Sequence, residues 1–244
     1  MFKIIIFSLF ISVSSYASSI TIAVAANVSY AMDDLKKEFH KLYPNIKVRV
    51  ILGGSGKLVA QIKNGAPYGL FMSANMNYPK ALYKSGMAIN KPKVYAQGSL
   101  VYLSRKKLNF SKGMKLLEDK KIRKIAVANP KTAPYGKATI EALKNAGIYE
   151  KIKKKCIYSE SISQTISYTM IATDIGFVAK SSLYSSKMAK FKENENWIDV
   201  KKSLYHPIDQ GIVILKNSKE IKIFYNFIFS TKAKKIFKKY GYLI

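Results

Sequence analysis

Residues 20–35 read ITIAVAANVSYAMDDL, a strand that passes through a short polar turn directly into a helix. Ile20 to Ala25 is an apolar, β-branched run. Val28, Met32, Leu35, Phe39 and Leu42 then recur at spacings of 4, 3, 4 and 3, one face of a helix that Pro44 stops. The same alternation continues outward. Ile46 to Leu52 reads as a second strand, Gly53-Gly54-Ser55-Gly56 leads into a helix with Leu58, Val59 and Ile62 that ends at Asn64-Gly65, Leu70 to Ser73 is a third strand, and a short helix follows near Pro79 to Lys84. Beyond Gln97-Gly98 the pattern restarts with strands at Leu100 to Ser104 and Ile122 to Ala128, a helix from Gly136 to Asn145 closed by Gly147, and a strand at Cys156 to Ser159. Ser161 caps a helix carrying Ile162, Ile166 and Met170, and Ile175 to Ala179 is again a strand. Polar residues from Lys187 to Lys202 read as a surface excursion. The chain closes with a strand at Gly211 to Leu215, a helix capped by Ser218, and a last helix from Ser230 to Tyr240 stopped by Gly241. Two βαβ sets predict an α/β chain of two lobes with a cleft between them.

Composition narrows the function. The chain has 244 residues, 48% of them hydrophobic and 23% charged, which is ordinary for a globular protein. Its charge is not ordinary: 42 Lys and Arg against 14 Asp and Glu give +28, yet only Arg49, Arg105 and Arg123 are arginines. Few planar guanidinium forks argue against nucleic-acid readout, while many lysines suit the steering of small anions. Met1 to Ala17 has one Lys, an apolar run from Ile4 to Val13 and the small-residue end Ser14-Ser15-Tyr16-Ala17, the pattern of a secretory signal cut after Ala17. Its apolar run is too short to span a bilayer, which takes ~20 residues. Cys156 stands alone, so neither a disulfide framework nor a cysteine-based zinc site is expected. An adhesive role for the lysines is a further rival, and it would be lost at high salt.

Four strand-to-helix turns are built from Gly, Ser, Asn and Pro: residues 25–29, 53–57, 129–136 and 159–163. Each would expose backbone N–H groups at the positive end of a helix, a natural seat for an anion. Two come from each lobe, which favours a binding cleft. Catalytic readings are weaker. Residues 53–57 do not form GxxxxGK[ST], and a secreted hydrolase using Ser55 would need a base that neither His40 nor His206 supplies from a neighbouring turn. No enzymatic activity, resident cofactor or directly ligated metal is expected.

These residues resemble the periplasmic molybdate-binding proteins of ABC importers, the ModA family of type II solute-binding folds. The resemblance rests on ITIAVAANVSYAMDDL, GGSGKLVAQIKNGAPYGLFMSAN, QGSLVYLSRK, IAVANPKTAPYGKATIEALKNAG, DIGFVAKSSL and IFKKYGY. It implies a two-lobed α/β fold, each lobe a mostly parallel sheet flanked by helices, with residues 18–97 and 208–244 forming one lobe and residues 98–207 the other. It further implies a monomeric receptor that captures molybdate or tungstate in the periplasm for an inner-membrane permease; a receptor tuned to tungstate, or to another tetrahedral oxyanion such as sulfate, is the alternative. The family's anion contacts fall on Asn27 and Ser55 in the first lobe and on the backbone at Tyr135 and Ile162 in the second. Two positions depart from the family: Gly69 replaces an acid, and Ala179 stands where many members present a tyrosine hydroxyl. Ser161, Ser163, Tyr158 and Lys180 are the nearby candidate replacements for that hydroxyl, with Ser161 or Ser163 favoured because each borders the start of the helix that faces the ligand.

Overall fold

The computed structural model describes residues 18–244, so the signal-sequence expectation for residues 1–17 lies outside the described residues. The elements are β1 (Ser18–Ala25), α1 (Ser29–Leu42), β2 (Ile46–Gly53), α2 (Ser55–Lys63), β3 (Leu70–Ser73), α3 (Asn77–Lys84), β4 (Lys93–Gly98) and β5 (Leu100–Leu103). There follow β6 (Ile125–Ala128), α4 (Pro134–Asn145), α5 (Tyr149–Ile152), β7 (Cys156–Ser159), α6 (Ile162–Ile171), β8 (Ile175–Ala179), β9 (Trp197–Asp199), β10 (Ile208–Ile214), α7 (Lys219–Ile228) and α8 (Thr231–Lys239).

They make two five-stranded sheets, ordered β2-β1-β3-β10-β4 and β7-β6-β8-β5-β9. The βαβ half of each sheet is parallel, β2-β1-β3 in one and β7-β6-β8 in the other. Each sheet is completed by antiparallel strands, β10 and β4 in the first and β5 and β9 in the second. The sheets are therefore mixed rather than mostly parallel, because the completing strands carry the chain between lobes and arrive without a crossover helix of their own sheet. The chain leaves the first sheet through β4, passes Ser99 and enters β5.

Two strands went unread in the sequence. Residues 187–202 are not only a surface excursion, since Trp197–Asp199 pairs with β5 and Trp197 is buried. β4 begins at Lys93, ahead of the Gln97-Gly98 boundary, and buries Tyr95 and Ala96. Capping follows the sequence closely: the hydroxyls of Ser161, Ser218 and Ser230 accept from Gln164, Ile221 and Ala233 N–H. Gly147 and Gly241, at φ 69° and 73°, close α4 and α8 in the left-handed conformation.

Each sheet holds its own core. In the first lobe α1 buries Ala31, Met32, Leu35 and Phe39, and the Phe39 ring meets Phe224 and Phe227 of α7 at 5.0 and 5.3 Å. Burying a side chain of that size contributes about 1.5–3 kcal/mol. Gly69 belongs to this packing, because a Cβ there would fall 2.4 Å from the Ile221 Cδ1, so an acid there would require the Ile221 side chain to move. The second lobe packs Tyr102, Phe110, Phe177 and Leu143 around β6 and β8.

Candidate functional site

Strand register brings the turns together. Ala25 is level with Gly53 across the parallel β1–β2 pair, and Ala128 is level with Ser159 across β6–β7, so each lobe presents two strand-to-helix turns side by side. The two pairs meet across the cleft. Asn27, Ser55, Tyr135 and Ile162 all line one cavity there, with Ala26, Gly54, Ala74 and Ala133 among the small residues around them. The space is confined: the centre of a water-sized sphere can occupy only about 10 Å³ of it. A space so confined suits a compact ligand better than an extended organic one.

Its chemistry is that of donors. Ser55 is the first residue of α2, Tyr135 the second of α4 and Ile162 the first of α6, positions whose backbone N–H groups have no partner inside the helix. Each helix end adds about half a positive charge, and none of the three has an acid in its first turn to cancel it. Among the described residues no Asp, Glu, Lys, Arg or His lines the cavity. Tyr135 is its one ionisable residue, and burial holds that phenol neutral, well above its ordinary value.

Ser55 is buried at 1% exposure, and its hydroxyl oxygen accepts from the Ala74 N–H at 3.0 Å. It does not cap α2, whose N-cap is Gly54 with no side-chain bond. Accepting from Ala74 leaves the hydroxyl proton free to be donated elsewhere. As a nucleophile Ser55 lacks a base. The His206 side chain is 90% exposed and pairs with Glu141, and His40 is exposed on α1. Burial pushes the Cys156 thiol up to about 11, so it is not a nucleophile either.

The lobes are closed on each other through direct bonds. Gly56 N–H donates to the Thr132 carbonyl at 2.9 Å, the Ser163 hydroxyl to the Ala26 carbonyl at 2.9 Å, and the Ser181 hydroxyl to the Asn27 carbonyl at 2.9 Å. Lys57 and Glu160 pair across the rim at 3.0 Å, but at 55% and 63% exposure this pair is worth little. Glycine serves closeness here rather than backbone twist: a Cβ at Gly56 would sit 2.9 Å from the Thr132 carbonyl oxygen, closer than backbone tolerates, and one at Gly54 would sit tightly, 3.1 Å from that of Glu160.

The two serine candidates for the missing tyrosine hydroxyl are otherwise engaged. Neither Ser161 nor Ser163 lines the cavity; Ser161 caps α6, and Ser163 takes over only the lobe-closing half of the tyrosine's task. Ala179 is 1% exposed within the second-lobe core, so a tyrosine introduced there would overpack that core, at about 1–3 kcal/mol. Ala74, at the end of β3, escaped the sequence reading because it sits in no Gly/Ser-rich turn; only the fold brings its N–H to Ser55.

A family model described as bacterial extracellular solute-binding protein matches residues 20–243. The molybdate-binding protein ModA of Azotobacter vinelandii is 34% identical over 236 residues, 94% of this chain and 91% of the relative. The chain belongs to the ModA family of bacterial extracellular solute-binding proteins. Another ModA protein, from Rhodobacter capsulatus, is 34% identical over 93% of this chain and 89% of its own length. The solved Azotobacter vinelandii periplasmic molybdate-binding protein superposes with a TM-score of 0.85 at 31% identity, covering 92% of this chain and 99% of that one. As a ModA-family protein it is a solute-binding protein and not an enzyme, in keeping with a serine that has no base. Among the described residues no helix is long and apolar enough to cross a membrane.

Proposed function

We propose that the protein captures molybdate, and tungstate with it, in the periplasm and hands it to an inner-membrane ABC permease, acting as a monomer exported by residues 1–17. The observation that carries this reading is the narrow cavity, lined by no charged side chain, at which three helix N-termini and four strand-to-helix turns meet. Asn27 and Ser55 hold the dianion from the first lobe, and the backbone N–H groups of Tyr135 and Ile162 hold it from the second; the lobes divide at 97/98 and 207/208. Each hydrogen bond to a charged group contributes roughly 1.5–3 kcal/mol net, so several together bind a dianion without any opposing full charge. Sulfate has the same charge and shape and is discriminated by size.

Titration calorimetry with molybdate, tungstate, sulfate and phosphate tests this. The expected result is one-to-one molybdate or tungstate binding with Kd below ~1 μM, about −8 kcal/mol, and much weaker sulfate. Equal binding of sulfate, or no heat with any oxyanion, contradicts it. Affinity is also expected to stay flat between about pH 6 and 9. No histidine or carboxylate lines the cavity, and the raised Tyr135 phenol keeps its proton throughout that window, losing it only on the alkaline side of its ordinary value. A steep fall between pH 6 and 7 would assign a histidine to the site.

A further inference from the structure

We infer that Tyr242 and Gln210, neither of which lines the cavity, are positioning residues for the anion seat, acting through Asn27 and tying that seat to the strand that links the lobes and to the C-terminal tail. The inference rests on the proposed role of Asn27 at the anion.

Asn27 is wholly buried, and both protons of its side-chain amide are committed: Nδ2 donates to Gln210 Oε1 at 2.8 Å and to the Tyr242 hydroxyl at 2.8 Å. The Tyr242 hydroxyl in turn donates to the Asn27 backbone carbonyl at 2.9 Å, and Ser181 donates to the same oxygen at 2.9 Å. Both lone pairs of that carbonyl are thereby filled. Gln210 is held by its own bond from Nε2 to the Ile208 carbonyl at 2.8 Å, within β10. Tyr242 is held by ring packing on Phe237 and by the tail, where Leu243 and Gln97 exchange N–H···O bonds at 2.8 and 2.9 Å along β4. Asn27 therefore has no side-chain proton left for a ligand. Its contribution to the anion is the backbone N–H in the first turn of the short helical segment Ala26–Val28, and the side chain's task is to fix where that N–H points.

The arrangement couples three parts of the molecule. β10 and the tail belong to the first sheet's side, and Ser181 follows β8 of the second, so all the bonds to Asn27 form together only when the lobes are closed. Tyr135 crosses the same junction: a Cβ on Gly98 would fall 2.0 Å from its hydroxyl, so the absence of a side chain at the end of β4 is what lets the phenol lie there.

The test is a double-mutant cycle read by molybdate calorimetry on the full mature chain, with Tyr225→Phe as the reference for losing a tyrosine hydroxyl elsewhere in the same lobe. Tyr242→Phe keeps the ring on Phe237 and removes only the hydroxyl; it is expected to weaken molybdate binding about tenfold, a change of roughly 1.4 kcal/mol, mostly through faster release. Gln210→Leu is expected to do the same, and Tyr225→Phe to leave affinity unchanged. Because Tyr242 works through Asn27, by its side-chain amide and by its backbone carbonyl, the losses in the Asn27→Ala, Tyr242→Phe double variant should combine to less than the product of the two single losses. Unchanged affinity in Tyr242→Phe, or losses that simply multiply in the double variant, overturns the positioning role while leaving the site itself standing. A wild-type chain that binds no oxyanion overturns the site and this role together.

Discussion

Gly56→Ala is expected to weaken anion binding ten- to a hundredfold while moving the melting temperature of the ligand-free protein by no more than about 2 °C. The added Cβ would lie 2.9 Å from the Thr132 carbonyl oxygen, 3.0 Å from the Thr132 Cα and 2.8 Å from the Tyr78 hydroxyl. Tyr78 can swing aside, but Thr132 offers backbone, so the second lobe has to stand off. Standing off stretches the Gly56–Thr132 and Ser163–Ala26 bonds and draws the Tyr135 and Ile162 amides away from the anion. When the lobes are apart only the Tyr78 side chain, which can swing aside, meets the methyl group, and alanine suits the first turn of α2 at least as well as glycine does. Calorimetry and thermal denaturation on one preparation separate the two effects. Wild-type affinity in this variant would mean that the ligand is not held by closure at this contact.

Ser55→Ala is expected to lower both affinity and stability. Losing one donor to a charged ligand is worth roughly 1.5–3 kcal/mol, or about ten- to a hundred-and-fifty-fold in Kd. Stability falls as well, because the buried Ala74 N–H loses the oxygen it donates to at 3.0 Å, and a buried donor left unpaired costs about 1–3 kcal/mol. A serine at a helix start often serves as its cap, and loss of a cap lowers stability more than affinity. With Gly54 at the cap position, a loss confined to stability would show that the hydroxyl serves only Ala74 and never reaches the anion.

What the sequence made legible is what short-range chemistry controls. The 4-3-4-3 spacing from Val28 to Leu42 yields α1 almost to the residue, serine caps mark three helix starts, and Gly147 and Gly241 mark two ends. The four turns were readable because Gly, Ser, Asn and Pro announce strand-to-helix junctions wherever they cluster. What escaped depends on partners distant in sequence. β9 is three residues long and becomes a strand only by pairing with β5, about 95 positions earlier. Ser163 looked like a donor to the anion, yet its hydroxyl is spent on Ala26, 137 residues away. Tyr242 ends the segment IFKKYGY, 215 residues from the asparagine it holds, and no local pattern could have joined the two.

The glycines of residues 53–56 show the same division. In sequence they read as a strand-to-helix turn that seats an anion; in the structure Gly54 and Gly56 lack the positive φ that favours glycine, and it is the approach of Thr132 to Gly56, and less tightly of Glu160 to Gly54, from the other lobe that leaves little room for a side chain. Net charge is similarly indirect. The +28 of the chain is carried on the surface and reaches the cavity through none of its lining residues, so lysines can draw an anion toward the cleft while uncharged donors hold it.

The central claim, that an uncharged ring of donors between the lobes is the anion seat, is tested most directly by crystallising the mature chain with sodium molybdate and locating the metal by its anomalous scattering. The account predicts a single strong peak in the cavity bounded by Asn27, Ser55, Tyr135 and Ile162, with its oxygens within hydrogen-bond distance of the Ser55 hydroxyl and of backbone N–H groups, and with no side-chain charge touching it. A peak instead in the larger, open cavity of about 710 Å³ among Lys180, Lys201, Lys202 and Lys238, or an anion in the cleft held by a lysine, would contradict it.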